Sequence, residues 1–337
     1  MNTLAACVAT PLAKALGWTL FHFLWEGAAI AAVLAVALYG FRPAAARVRY
    51  GLACVALGAM ALAFAVTLAV SMPSRPAHFV KLPAAALPGD WVLAPEGTAA
   101  PPPVALADRL AWAAPFWLAG VMGMFLYRLA GWTAAQRLRR VGAVAAPEWW
   151  RLRLAALARD ARIWRPVVLL ESCLAEVPAA VGWLRPAILT PLGMLAGLPP
   201  EQVEAILLHE LAHIRRADYA VNLLQSAIEG LLFYHPALWW VSGVVRAERE
   251  HCCDDWAAQR LGNAHQYATA LAAFENSRWQ APRAAMAASG SNLARRIRRL
   301  LVKPEARDRA VPVAPSLLLL ALAGVALAAW PQPQQQP

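Results

Sequence analysis

With 337 residues, 60% of them hydrophobic and only 15% charged, the chain is too apolar for an ordinary soluble domain and reads as a membrane protein. Its net charge of +11 is unevenly placed: residues 128–310 carry 24 Lys/Arg against 16 Asp/Glu, 42–51 carries three Arg and no acid, and 73–109 holds three of each. The positive-inside rule puts both basic regions in the cytoplasm, and five cysteines without zinc-ribbon spacing exclude an even disulfide framework.

A first span is predicted at about 15–41, long enough to cross with tilt. It is too long, with too few preceding positive charges, for a cleaved signal peptide. Lys14 precedes it and Arg42, Arg47 and Arg49 follow, so the N-terminus should face out. His22 and Glu26 lie within it, as functional candidates or as bundle-facing and interfacial groups. A second span at about 52–72 returns outward, and the Pro- and Ala-rich stretch 73–107 reads as an extracytoplasmic loop without its own core. A third span at about 110–127 carries Pro115 and ends on Arg128, Arg137, Arg139 and Arg140. Residues 1–131 are thus the expected membrane domain and 132–310 a cytoplasmic α+β domain.

Within that domain, 147–162 has the pattern of an amphipathic helix, while 167–170, 179–181 and 187–190 are short runs bounded by Pro and Gly, as strands are. The segment 177–191 reads as a hairpin near the next helix, and an edge strand there could hold an extended backbone by strand addition. Pro199 and Pro200 suit a helix start, and Glu201 and Glu204 complement its dipole. The helix then carries His209-Glu210-Leu211-Ala212-His213. Four-residue spacing stacks His209 and His213 on one face, where both can reach one zinc ion. Glu210 beside them can take a proton from an attacking water and pass it to the leaving amine.

A third ligand is wanted. The metzincin position, six residues after the second His, is Tyr219, and Arg216 stands where that arrangement needs Gly, which excludes it. The later helical run 246–256 places Glu250 and Asp254 on one face, as a glutamate ligand and an aspartate free to hydrogen-bond the far nitrogen of a ligating histidine. Glu248, His251 and Asp255 fall on other faces and are expected to be solvated. Between the two motifs, 219–245 is nearly continuous apolar sequence. A single crossing would put Glu250 on the opposite side of the membrane from His213. Two helices broken at Pro236, lying against or dipping into the bilayer, are therefore expected, with Glu229 and His235 packing or capping. The helix bearing Glu250 should run to Leu261 and stop at Gly262, with another helix at 266–277. Cys252 and Cys253 should be reduced thiols packing a helix.

The run Arg295-Arg296-Ile297-Arg298-Arg299 precedes a final span at about 311–330 and a polar tail at 331–337. It is expected to meet anionic lipid headgroups, with no direct nucleic-acid contact. Both termini are then extracytoplasmic.

Three segments together, His209 to Tyr219, Tyr234-His235-Pro236-Ala237-Leu238-Trp239-Trp240, and Glu248 to Asp254, resemble the BlaR/MecR-type antirepressor membrane metallopeptidases. The resemblance extends upstream through Val177 to Pro191. It implies one zinc held by His209, His213 and Glu250, Glu210 as catalytic acid/base, and a role in cleaving or inactivating a BlaI/MecI-like winged-helix repressor. The β-lactam sensors of that kind carry a penicillin-binding ectodomain with a Ser-x-x-Lys nucleophile. No Ser here has Lys three places on, so direct β-lactam sensing is not expected. Two other readings stand beside this one. The first is a housekeeping membrane protease similar to the CAAX prenyl proteases, and the second a membrane signalling scaffold with a structural zinc. The expected fold is therefore a four-span α-helical membrane protein carrying a cytoplasmic α+β zinc-metallopeptidase domain in the bacterial inner membrane.

Overall fold

The structure is a computed structural model that describes residues 8–40, 45–72, 106–182, 184–277 and 290–301. The predicted extracytoplasmic loop up to residue 105, the fourth span and the polar tail lie outside the described residues.

Helices α1 (Pro11–Gly40) and α2 (Ala46–Ser71) pack along one another. Ala53 and Ala56 of α2 are fully buried, small enough for the backbones to approach, beside Phe23, Ile30, Leu34 and Met60. One polar link crosses this pair, Thr67 donating to both carboxylate oxygens of the buried Glu26 at 2.9 and 3.0 Å. Helix α3 (Leu106–Ala111) sits so close to α1 that a Cβ on Gly17 would stand 2.2 Å from the Leu110 carbonyl oxygen. Then α4 (Ala113–Arg140) runs on with Arg137, Arg139 and Arg140 in its last turn. Among the described residues three segments, Pro11–Gly40, Ala46–Ser71 and Asp108–Ala134, are long and apolar enough to cross a membrane.

Beyond α4, the strands β1 (Ala143–Ala145), β2 (Val168–Ser172), β3 (Ala179–Val181) and β4 (Ala187–Pro191) form one sheet in the order β1-β2-β4-β3. β2 and β4 are parallel from Val168 opposite Ala187, and β3 pairs antiparallel with β4, leaving β3 at an edge. The three expected strands are present. β1, only three residues between Gly142 and Pro147, carries too short a pattern to be read from sequence. Helix α5 (Glu148–Asp160) lies between β1 and β2, burying Trp150, Leu154 and Leu157.

After the short α6 (Met194–Gly197), α7 (Pro200–Arg215) carries the two histidines. The apolar stretch then divides as expected into α8 (Asp218–Leu231) and α9 (Pro236–Leu261). Pro236 sits in the first turn of α9, and His235 caps that helix by accepting from the Ala237 amide. Gly262, at φ 71°, ends it in the left-handed conformation that glycine adopts without strain. Helices α10 (Ala264–Ser277) and α11 (Gly290–Leu301) follow.

Two hydrophobic cores result, and α9 enters both. Leu238, Val241 and Val245 from its first half share a core with α1, α2 and Ile228 and Leu232 around the end of α8. Ala257 and Ala258 from its second half share the other with α5, α7 and α10. The intervening turns, from Arg246 to Asp254, lie at the seam.

Candidate metal centre

Each functional side chain is brought to the seam by a different constraint. On α7, Val203, Leu207 and Leu211 are fully buried in the second core, which fixes the helix and turns His209 and His213 toward α9. Their Nε2 atoms stand 3.2 Å apart. Glu250 on α9 reaches them with Oε2 3.5 Å from His209 Nε2 and Oε1 3.8 Å from His213 Nε2. Donors held at about 2.0–2.1 Å from one zinc at tetrahedral angles stand roughly 3.3 Å from each other, so this spacing fits that ion. Glu210 is buried and lines the same groove.

The far nitrogen of each imidazole is also engaged. His209 Nδ1 lies 2.9 Å from the Tyr267 hydroxyl and 3.3 Å from Asp254 Oδ1, and Tyr267 donates to Asp254 at 2.7 Å. The sequence reading of Asp254 as support for a histidine thus has its contact. Arg296 of α11 holds Asp254 from the other side in a two-pronged pair at 2.6 and 2.8 Å. His213 Nδ1 lies 2.9 Å from Asp218 Oδ2, at the first residue of α8. Such carboxylate contacts fix the ring orientation and tautomer that a metal needs.

The electrostatics call for a cation. Burial by itself would lower the pKa of His209, but hydrogen bonds from Asp254 and Glu250 outweigh it and lift the metal-free imidazole to about 10. Burial would raise Glu250, yet His209, with His213 and Arg296 beyond it, brings the carboxyl down to about 2. Asp254, opposed by burial, is held far below the usual carboxylate range by Arg296 and His209. A site this acidic takes either a proton or a metal ion at His209.

A second cluster, His213, Asp218 and Cys253, also has donor atoms close together. Cys253 Sγ is 3.4 Å from His213 Nδ1 and 3.5 Å from Asp218 Oδ2. Burial first, and then the neighbouring Asp218 and Glu250, push its thiol well above its ordinary pKa. Its contacts to His213 and Asp218 help to hold the His213 ring.

Three expectations need correction. Glu248 is not solvated: it is 4% exposed, with Arg49 of α2 on it at 2.7 Å and His251 at 3.3 Å, because α2 covers that face of α9. Asp255 pairs with Arg299 at 2.6 Å. The basic run on α11 therefore does not lie wholly against lipid, since Arg296 and Arg299 turn inward to α9. Glu229 and His235 behave as expected: Glu229, fully buried, receives Arg128, Arg246 and Ser242, and His235 Nε2 lies 3.0 Å from the Leu24 carbonyl. Sequence reasoning missed Asp218, whose place at a helix start reads as ordinary dipole complement, and Tyr267, which no pattern marks.

The model of the family described as BlaR1 peptidase M56 matches residues 22–300, most of the chain. The chain belongs to the M56 peptidases. The match takes in all the donor residues above and both helices that flank them. A relative, the regulatory protein BlaR1 of Bacillus licheniformis, is 28% identical over 95 residues, covering 28% of this chain and 16% of that protein. M56 peptidases are generally zinc enzymes, and the donor set here is of the kind zinc takes.

Proposed function

We propose that the protein is a membrane zinc metalloendopeptidase that transduces a signal by cleaving or inactivating a cytoplasmic winged-helix repressor of BlaI/MecI kind. The observation that carries this is the convergence of His209, His213 and Glu250 at zinc-ligand spacing, with Glu210 in the same groove. A zinc ion held by those three residues would supply Lewis acidity to the attacking water and the scissile carbonyl. Glu210 takes the water's proton and delivers it to the leaving amine. Asp254 and Tyr267 hold His209, and Asp218 holds His213, so neither ring turns as charge develops. The substrate backbone lies along β3, the sheet edge that lines the groove through Ala179 and Ala180. On this reading the groove lies on the cytoplasmic side of the inner membrane, with both termini outside. Trp132, at the end of the third apolar segment, contacts Tyr219 of the groove wall at 3.2 Å, which supports a site at the bilayer surface.

The test is zinc content of the detergent-purified protein and its Glu210→Gln and Glu250→Ala variants, with cleavage of a co-expressed candidate repressor in the same strains. One zinc per chain is expected, kept in Glu210→Gln and weakened in Glu250→Ala, with cleavage lost in both. Normal zinc in Glu250→Ala would remove Glu250 from the ligand set. Signalling that survives Glu210→Gln would make the protein a scaffold, and many cleaved membrane proteins in place of one repressor would make it a housekeeping protease.

A further inference from the structure

The groove holds a cavity of about 940 Å³, and the charges on its wall are strongly unequal. Five arginines line it: Arg165, Arg246, Arg249, Arg295 and Arg296. The lining carboxylates are Glu210, Asp218 and Glu250. All three have work already, two at the metal position and Asp218 on His213. No lining carboxylate is left to receive a basic substrate side chain.

The arginines divide differently. Arg296 is matched by Asp254, and Arg246 by the buried Glu229. Arg249 is 7% exposed, yet its hydrogen bonds go to neutral amide oxygens, Gln225 at 2.6 Å and Asn222 at 3.3 Å, and its Nε has no acceptor. Among the described residues no carboxylate pairs with it. Arg295 is exposed on α11 and likewise pairs with no carboxylate among the described residues. A buried cation bonded only to neutral groups keeps its full field in a low-dielectric wall. A divalent ion at the histidines would add to that field.

We propose that the groove selects polypeptide segments bearing acidic side chains, drawn by Arg249 in the wall and by the exposed Arg295 beside it. β3 contributes only small side chains to the groove, Ala179 and Ala180, so it grips backbone and leaves charge as the discriminating feature. The inference rests on the peptidase reading for its choice of a polypeptide as occupant.

Binding tests it without requiring turnover. The full-length Glu210→Gln protein, zinc-loaded in detergent, is titrated by fluorescence anisotropy with labelled extended peptides that differ only in carrying Glu, Gln or Lys at the same positions. The Glu peptide should bind about tenfold more tightly than the Gln peptide at low salt, with Lys weakest and the gap closing as ionic strength rises. Arg295→Gln should narrow the Glu-to-Gln ratio to about threefold, and it is an exposed side chain whose loss leaves the core intact. A Glu peptide that binds no better than Gln, or a ratio unmoved by Arg295→Gln, would overturn the proposal. So would displacement of the Glu peptide by an equal concentration of single-stranded oligonucleotide, which would make the wall a general polyanion surface. Wild-type protein that fails to cut peptides bound in the expected order would overturn the peptidase reading while supporting the charge selection.

Discussion

The two ends of α9 live in different surroundings. Leu238, Val241 and Val245 share a core with Phe23, Ile30 and Met60, where the contacts are apolar and unselective and few polar groups need partners. Ala257 and Ala258 share theirs with Leu207, Leu211 and Tyr267, in a core that also orients a histidine. Between them the buried charges collect: Glu248 on Arg49 of α2, Arg246 with Glu229 and Arg128 of α4, Asp254 on Arg296 of α11. Apolar packing sets where α9 lies, whereas the ionic contacts at the seam set its rotation, and Glu250 depends on both. Burial would raise the Glu248 carboxyl, but His251 and Arg49 outweigh it and hold it below its ordinary value.

Disturbing the chemistry alone should have the largest effect. Glu210→Gln is expected to lower peptidase turnover by about a thousandfold, with zinc content and melting temperature unchanged. Loss of zinc in that variant would mean that Glu210 holds the metal.

Next comes the pin beside the second core. Arg296→Ala strands the buried Asp254 and should destabilise the second core by about 3–5 kcal/mol, seen by thermal unfolding in detergent. Unchanged stability would show that α11 is not part of that core. Its counterpart on the membrane side, Arg49→Ala, leaves Glu248 with His251 and should cost about 2 kcal/mol. If the two variants lose equally, the contrast between the two sides of the seam fails.

Smaller changes sharpen the same contrast. Asp218→Asn keeps the fold but frees the His213 ring, and zinc affinity should fall by about 10–100-fold in a chelator competition. An unchanged affinity would leave Cys253 as the sufficient partner. The smallest effect is one of pH. Burial raises the pKa of Glu229, but Ser242, Arg246 and Arg128 outweigh it and the net shift is downward from 4.5. A depressed carboxyl contributes stability that is present above its ordinary range and lost as pH falls through the folded value. Thermal midpoints should therefore drop on acidification below about pH 4.5, and Glu229→Gln should flatten that slope.

How much of this could be read in advance depended on the reach of each interaction. The four-residue spacing of His209 and His213, and of Glu250 and Asp254, is local to one helix, and periodicity carries it directly. The break at Pro236 and the stop at Gly262 are backbone signals of the same kind. Glu250 as the third ligand is expected from its place with Asp254 on one helix face and from the family resemblance, and that choice in turn requires that 219–245 not cross the membrane once. By contrast, Arg49 and Glu248 are 199 residues apart, and nothing in either neighbourhood names the other. Glu248 looked solvated because its helix face is polar, and polar faces are covered when another helix brings the matching charge. Arg296 was hidden in a basic run, where each arginine reads alike until α11 is laid against α9. Tyr267, in an Ala-rich helix, gave no sign at all.

The shared helix has a practical consequence for anyone wishing to handle the enzyme apart from its anchor. A fragment begun at residue 132 would retain α9 but not α1 and α2, and Leu238, Val241 and Val245 would be laid bare along one stripe. Arg49 and Arg128 would go with the discarded part, and Glu248 and Glu229 would each lose a partner. Such a piece would precipitate before it could be assayed. Anchor and catalyst here are a single folding unit, to be purified, reconstituted and engineered together.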